Sequence, residues 1–239
     1  MQMALAQSRQ YRVGFYSLET SKGKVMDRLL CHYAKVPMSE IKGGALSQDA
    51  WSRIGEAASS MSQYYKLDVI EAAGMSVDDI FHEAIARRHE IIYIDYLQII
   101  RGDGKTRYDQ VTNISVRLHQ LAQKNRIMVV ALSQLSRDSA GKANEEPDMS
   151  DLRESGQIEQ DADAILMIYC QKKGATEGPR TVKIAKNKEG ELAYLDMSWD
   201  GALQTLTPMS RRTPPAIPKT MRPLPDKTPT PWDEQMEIK

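Results

Sequence analysis

Three polar residues stand where apolar, strand-like runs of the sequence end. Asp95 closes one such run, and an acid in this position commonly holds Mg²⁺, directly or through water, beside the phosphates of a nucleotide. Glu19 ends a second run just before a helical pattern, where a carboxylate could act as general base on an attacking water. Gln134 follows a third run, and its amide could hydrogen-bond a γ-phosphate and respond to its loss.

Each of these residues also has a structural interpretation. Asp95 could cap the turn after its strand, Glu19 could interact with the dipole of the next helix as a first-turn acid, and Gln134 could be an amide that faces a loop. Because the strands of one parallel sheet end side by side, the three groups could also converge on one crevice. The three strand ends together are therefore a stronger signal than any one of them.

The segment 151–163 is dense in charged and amide side chains, yet it leads directly into the apolar run 164–170. It contains five acids, one arginine and two glutamines. Polar groups gathered at a strand end are where α/β proteins place their chemistry. We therefore expect a functional loop at this point of the chain.

The sequence Gly104-Lys105-Thr106 looks like the end of a phosphate-binding loop. Such a loop needs the pattern G-x-x-x-x-G-K-[ST] between a strand and a helix, so that its backbone N–H groups can cradle phosphates. The first glycine of that pattern would fall at Ile99, inside the run that carries Asp95. We reject this match, and the sequence contains no other P-loop.

Strand and helix patterns alternate along the chain, which predicts an α/β fold with a twisted, mostly parallel sheet flanked by helices. Two later strand patterns, joined at Lys188-Glu189-Gly190, predict an antiparallel hairpin at the C-terminal edge of the sheet. In the second helix, the spacing places Trp51, Ile54, Ala58 and Met61 on the buried face. The predicted strands are 13–18, 67–70, 91–100, 127–133, 180–187 and 191–199, and the predicted helices are 21–35, 47–61, 76–87 and 109–124.

The composition sets limits on partners and location. Lys plus Arg equals Asp plus Glu at 32 each, so nucleic-acid binding must come from a local patch. Cys31 and Cys170 lack a C-x-x-C pattern, which favours two reduced, buried thiols over a disulfide or a metal site. The sequence has neither a membrane-spanning run nor a signal peptide, so we expect a cytoplasmic protein. The Pro-rich, basic residues 207–239 predict a disordered tail after a folded domain at 1–206.

Four motifs together resemble the C-terminal RecA-like ATPase domain of DnaB-type replicative helicases, and they occur in the same order as in that family. They are SLETS at 17–21, IDYLQ at 94–98, ALSQLSR at 131–137 and LRESGQIEQDAD at 152–163. The resemblance covers about residues 1–206. It implies a RecA-like fold and a ring-shaped hexamer that moves 5′ to 3′ along single-stranded DNA, driven by hydrolysis of ATP with Mg²⁺. It also implies a bacterial or phage replisome, with a helicase loader or a primase as possible partners.

The resemblance also assigns roles to individual residues. Glu19 matches the catalytic base, Asp95 the Mg²⁺-associated acid, and Gln134 the γ-phosphate sensor that couples hydrolysis to DNA. The loop expected to touch the DNA backbone in the central channel is matched by Arg153, Glu154 and Gly156. Lys105 and Arg107 lie on the other loop expected to face the channel, or are ordinary surface charges.

Two departures from the family pattern affect catalysis. The segment 1–8 resembles the helix that follows the P-loop, so we expect that the chain begins just after its phosphate cradle and lacks the N-terminal domain. Loss of the cradle should remove most turnover. The family's trans-acting K-x-R-x-G motif reads Lys186-Asn187-Lys188-Glu189-Gly190 here. Lys188 therefore takes the place of the arginine finger, and it keeps the charge but not the planar fork of an arginine.

Three functions compete on these grounds. The first is the ATPase domain of a replicative helicase, inactive or weak as this truncated chain. The second is an ATPase-deficient protein that binds single-stranded DNA or joins helicase rings. The third is another RecA-like ATPase of recombination or repair, against which the segment 152–163 argues.

Overall fold

The computed structural model describes residues 1–44, 46–135, 146–152, 156–170 and 178–213, which form two four-stranded sheets and several helices. The strands are β1 (Val13–Ser17), β2 (Leu67–Glu71), β3 (Ile91–Asp95), β4 (Met128–Ala131), β5 (Ala164–Cys170), β6 (Arg180–Asn187), β7 (Ala193–Asp200) and β8 (Thr205–Arg212). The helices are α1 (Gln2–Gln7), α2 (Lys22–Ala34), α3 (Met38–Gly43), α4 (Gln48–Tyr64), α5 (Val77–Ala86), α6 (Arg107–Asn125) and α7 (Gly156–Asp161), with 3₁₀ turns at Leu97–Ile99 and Met149–Asp151.

The first sheet is parallel throughout, in the order β2-β1-β3-β4. Its central strand β1 is buried along its whole length, as the continuous apolar run predicted. One core cluster packs this sheet against α5 and α6, and a second packs it against α1 and α2. The prediction of a parallel sheet covered by helices is therefore confirmed.

The four predicted helices correspond to α2, α4, α5 and α6, and their buried faces were predicted well except at α4, whereas the short helices α3 and α7 were missed. The capping box of α5 is present, because the Ser76 side chain accepts from the Asp79 amide and the Asp79 carboxylate accepts from the Ser76 amide. In α4 the fully buried residues include Ala50 and Ala57, whereas Trp51 is 57% exposed. The prediction that Trp51 and Ala58 face the core was wrong, because α4 packs Ala50 and Ala57 against Ala34 and Val36 and so leaves Trp51 and Ala58 exposed. The prediction holds for Met61, which is buried, and for Ile54, which is partly buried.

The second sheet is antiparallel, in the order β5-β6-β7-β8, and is larger than the predicted hairpin. Among the described strands it is a separate sheet, and not the predicted addition to the edge of the parallel one. The hairpin corresponds to β6 and β7, and β8 was missed. Pro208 lies in β8, opposite Met197 beside a β-bulge. An edge strand tolerates a proline there, because the missing N–H costs no ladder bond. The boundary predicted after residue 206 therefore falls inside β8, while residues 214–239 of the predicted tail lie outside the described residues.

A chain of polar side chains, buried at Tyr16 and His89 and exposed at Asp68, joins β1 and β2 to the loop before β3. His89 is 4% exposed, and its Nδ1 lies 3.1 Å from the Tyr16 hydroxyl while its Nε2 lies 3.0 Å from Asp68 Oδ2. Burial raises the pKa of the Tyr16 hydroxyl. Gly14 makes room for the imidazole, because a Cβ on Gly14 would lie 2.5 Å from His89 Nδ1.

Both cysteines are free thiols, with Cys31 buried and Cys170 half-buried. The prediction that both thiols are buried therefore holds fully for Cys31 alone. Among the described helices, none combines the length and the apolar character needed to cross a membrane.

Candidate functional site

The carboxyl ends of the parallel strands bring Glu19 and Asp95 to the same edge of the sheet. Ser17 of β1 pairs in register with Asp95 of β3, and the Leu18 amide donates to the Asp95 carbonyl over 2.9 Å. Glu19 is the next residue and is exposed, while Asp95 is half-buried. One carboxylate is thus open to solvent beside another that the sheet partly covers.

The turn that carries Glu19 is held by its neighbours. Ser17 Oγ donates to the Thr20 carbonyl over 2.6 Å and accepts from the Thr20 amide over 3.2 Å. Glu71, at the end of β2, accepts from the Lys22 amide over 2.7 Å and so caps α2. Sequence reasoning missed this third strand-end acid, because the cap comes from a residue 49 positions away.

The electrostatics of Asp95 suit a cation-binding site. Burial raises the pKa of the Asp95 carboxyl and the charge of Glu19 raises it further, while the amino terminus and Arg28 oppose the shift. Two carboxylates that repel one another favour binding of a positive ion between or beside them. Arg28 of α2 was not singled out from the sequence. The sequence feature that could have identified Arg28 is its position as a cation on the helix that follows Glu19.

Arg28 also lines a cavity of about 220 Å³ between α1, α2 and the β7–β8 turn. Trp199, His32 and Gln204 line the same cavity. The turn is fixed to α2, because His32 Nδ1 lies 2.7 Å from Thr205 Oγ1 and Cys31 Sγ lies 3.3 Å from the Ala202 carbonyl. Arg28 therefore lines this cavity and also acts electrostatically on Asp95.

Gln134 reaches the same edge through β4, and Gln98 holds it there. The Gln134 amide donates to Gln98 Oε1 over 3.3 Å, and Gln98 Nε2 donates to the Gln134 carbonyl over 3.3 Å. Gln98 Nε2 also donates to Ser133 Oγ over 2.8 Å. The Gln134 residue is exposed, so its main chain is anchored while its position stays open to solvent.

The loop with Lys105 and Arg107 lies directly against α6. A Cβ on Gly104 would lie 2.6 Å from the Gln110 amide nitrogen, so glycine permits this close approach. Lys105 is exposed, in agreement with a surface role. Arg107 begins α6, and its guanidinium donates to the Gln98 carbonyl, which ties this loop to the residue that anchors Gln134.

Lys186 and Lys188 are engaged within the chain. Lys186 Nζ donates to the Glu159 and Gln160 carbonyls at the end of α7. Lys188 Nζ lies 2.6 Å from Asp163 Oδ1, and this contact lowers the pKa of the Asp163 carboxyl. Over the described ranges, neither lysine contacts Glu19, Asp95 or Gln134.

Several acids of the segment 151–163 have structural partners. Asp151 is 7% exposed, and its carboxylate accepts from the Asp148 amide over 2.8 Å. Asp161 accepts from Ser115 Oγ over 2.7 Å and so joins α7 to α6. Gly156 begins α7 and is exposed. Arg153 and Glu154, the other residues predicted to contact DNA, lie outside the described residues.

The donor set fits Mg²⁺ bound together with a nucleotide better than a metal held by the protein alone. The described residues contain no group of three His, Cys, Asp or Glu side chains that could hold a metal ion. Mg²⁺ is usually bound through one or two carboxylates together with substrate phosphates and water, and Asp95 beside Glu19 supplies that number. The sequence offers no glycine-rich cradle for the phosphates themselves.

Comparison with protein families finds a match to the DnaB-like helicase C-terminal domain over residues 1–207. A similar curated protein is a probable plasmid replicative DNA helicase of Chlamydia trachomatis serovar L2, which is 35% identical over 204 residues. The match covers 80% of this chain and 43% of the relative. The chain therefore spans less than half the length of that relative.

Two solved structures share the fold. One is an isolated ATPase domain, which aligns with a TM-score of 0.79 and 29% identity, over 87% of this chain and 79% of that one. The other is a DnaB-like replicative helicase, described with its interactions with primase, which also aligns with a TM-score of 0.79, at 27% identity over 87% of this chain and 53% of that one. Both matches agree with an α/β ATPase fold for this chain.

Proposed function

The chain belongs to the DnaB-like helicase C-terminal domain family, and from this premise we propose that it binds and hydrolyses ATP at the carboxyl edge of its parallel sheet. The observation that carries the proposal is the neighbouring placement of Glu19 and Asp95, with Gln134 anchored at the end of another strand of the same sheet. The site would couple ATP hydrolysis to 5′–3′ translocation on single-stranded DNA and to unwinding of the duplex.

Each residue has a task that follows from its surroundings. The exposed carboxylate of Glu19 accepts the proton of an attacking water. Asp95 holds Mg²⁺ directly or through water, and the ion, when bound, neutralises phosphate charge. Gln134 donates its side-chain amide to the γ-phosphate, and the Gln98 bridge keeps its main chain in place. Arg28 contributes a positive charge to the same field.

The DNA contacts and the ring assembly are part of the same proposal. Lys105 is placed for a backbone contact with single-stranded DNA, as are the family-matched Arg153, Glu154 and Gly156. Arg107 would make a weaker contact with the DNA backbone, because its guanidinium also donates to the Gln98 carbonyl. Lys186 and Lys188 would act on the nucleotide of a neighbouring subunit in a hexamer. A primase partner is proposed by analogy with the solved DnaB-like helicase, and a helicase loader and a cytoplasmic replisome follow from the family.

Weak turnover by this chain alone is also proposed, because its sequence holds no P-loop and has Lys188 where an arginine finger is expected. The same observation favours a second candidate, an ATPase-deficient protein that binds single-stranded DNA or helicase rings. A recombination or repair ATPase is disfavoured, since the family match extends over residues 1–207.

The test compares this chain with a fusion in which a strand and a phosphate-binding loop of the pattern G-x-x-x-x-G-K-[ST] are joined ahead of Met1. ATP hydrolysis is measured for both proteins with and without single-stranded DNA. We expect DNA-stimulated turnover by the fusion and little by the chain alone. A folded fusion that binds single-stranded DNA but never hydrolyses ATP would favour the binding-protein candidate.

A further inference from the structure

The amino ends of the parallel strands form the edge opposite the candidate site, and this edge is rich in exposed cations. The loops that lead into β1, β2, β3 and β4 all reach it. We call the following group the basic edge, and all of its members are exposed: Arg12, Lys66, Arg87, Arg88, Lys124 and Arg126.

Backbone hydrogen bonds hold these loops side by side. The Lys66 amide donates to the Ser8 carbonyl over 2.8 Å, which joins the loops before β1 and β2. The Glu90 amide donates to the Arg12 carbonyl over 2.8 Å, and the Met128 amide donates to the Glu90 carbonyl over 3.0 Å. Adjacent strands lie about 4.8 Å apart, so the four loops span roughly 15 Å. The cations therefore line one continuous surface.

The basic edge keeps a net positive charge although the whole chain is neutral. The acids of these loops and adjoining turns are Asp68, Glu83 and Glu90, half as many as the cations. Arg87 pairs with both Glu83, over 2.6 Å, and Asp68, over 3.8 Å. It is the one member of the basic edge with a salt bridge to any described residue. Lys66 Nζ donates to the Gln10 carbonyl over 3.4 Å but is exposed, so it and the other cations are open to an anionic partner.

Two of these cations occupy backbone positions that favour another residue type. Arg88 has φ of 58° and Arg126 has φ of 54°, in the left-handed region where glycine or asparagine is preferred. A cation near a helix C-terminus gains from the helix dipole, but it does not need a left-handed position to do so. Lys35 and Gln204 also have positive φ, so the conformation alone assigns no role, but it places two exposed guanidinium groups just after α5 and α6.

Exposed aromatic rings lie among the cations. Tyr11 is 44% exposed and precedes Arg12, and Tyr64 is 58% exposed and lies two residues before Lys66. Proteins that bind single-stranded nucleic acid combine cations for the phosphates with aromatic rings on which bases stack. An acidic protein segment would use the cations but has no need of exposed rings.

We propose that the basic edge binds single-stranded nucleic acid, independently of sequence, at a surface separate from the candidate site. Arg12, Lys66, Arg88 and Arg126 contact phosphates, and Tyr11 and Tyr64 stack on bases. The strands between the two edges are about five residues long, which separates them by roughly 15 Å. This binding does not depend on ATP hydrolysis at the carboxyl edge.

The first test measures binding of a fluorescent thymidine oligomer of about 20 nucleotides by anisotropy across a salt series. The variant Arg88→Asn with Arg126→Asn removes two cations and suits the left-handed backbone. Its control, Lys42→Gln with Arg211→Gln, removes the same charge from α3 and β8. We expect the first variant to lower the slope of log K against log salt by about 1.4, at about 0.7 per lost contact, and the control to leave it unchanged. Equal slopes for the two variants would overturn the proposal.

The second test separates nucleic acid from an acidic protein. Tyr11→Ala with Tyr64→Ala should weaken binding of the thymidine oligomer several-fold while leaving binding of an abasic oligomer unchanged. If poly-glutamate displaces the fluorescent oligomer as well as unlabelled oligomer does, and the tyrosine variant binds normally, the surface belongs to an acidic protein. That result would refute the proposal. The proposal is also refuted if the double variant Lys105→Gln, Arg107→Gln loses binding of the oligomer while the double variant Arg88→Asn, Arg126→Asn retains it.

Discussion

The buried side chain of Gln98 bridges the main chain of Gln134 in both directions, as acceptor and as donor, at 3.3 Å each. This geometry lets one residue hold the loop after β4 without using the Gln134 side chain. In the proposed site, Gln98 would thus position the main chain, and the side chain of Gln134 would sense the γ-phosphate.

Substitution of Gln98 should therefore affect stability, whereas substitution of Gln134 should affect function. Gln98→Leu removes the side chain that bonds the Ser133 hydroxyl and both backbone groups of Gln134, leaving only the 3.5 Å contact from Ser133 Oγ to the Gln134 carbonyl. It should lower the free energy of unfolding by about 1–3 kcal/mol. Gln134→Ala keeps those bonds and should leave the unfolding free energy nearly unchanged, while it removes DNA stimulation of hydrolysis in the P-loop fusion. Urea unfolding of the two variants decides this, and equal losses of stability would contradict the division of roles.

Gly14→Ala should destabilise the fold strongly. The added Cβ would lie 2.5 Å from His89 Nδ1 and 2.8 Å from Tyr16 Cε2, so the hydrogen-bonded side chains of Tyr16, His89 and Asp68 would have to move. Overpacking of this kind costs about 1–3 kcal/mol. Gly23→Ala, which has open space around it, is the matched control. Equal unfolding midpoints for the two variants would refute the close packing at Gly14.

Asp95→Asn should stabilise the protein at neutral pH in the absence of Mg²⁺. Burial raises the pKa of the Asp95 carboxyl in the folded state, so the folded state loses stability as pH rises from the ordinary Asp range through the raised pKa. The advantage of the variant should vanish below the ordinary pKa of 3.8. Unfolding free energies of both proteins across this range measure the effect, and an advantage that grows in acid would contradict it.

Lys188→Arg should raise the turnover of the P-loop fusion by about tenfold or more, because an arginine spans two phosphate oxygens and finger arginines contribute large rate factors. The substitution can keep the ion pair with Asp163. Steady-state hydrolysis at several protein concentrations tests the expectation, with Lys42→Arg as control. No gain at concentrations where the fusion forms rings would argue against a trans-acting role for Lys188.

The sequence predicted the parallel sheet because continuous apolar runs mark strands that are covered on both faces, and β1 and β3 are buried in this way. It also predicted the strand-end positions of Glu19, Asp95 and Gln134. The exposed face of α4, the cap from Glu71 and the bridge from Gln98 depend on contacts between residues far apart in the chain, which local spacing does not reveal. The proline at 208 concealed β8, since only its edge position makes a proline acceptable there.

The most direct test of the carboxyl-edge site is DNA-stimulated ATP hydrolysis by the P-loop fusion and by its Glu19→Gln variant. The amide keeps the shape of the side chain but cannot accept the proton of water, so we predict a loss in kcat of about 10² to 10⁴ with nucleotide binding preserved. Equal kcat for both proteins would contradict the account, because catalysis would then not pass through Glu19.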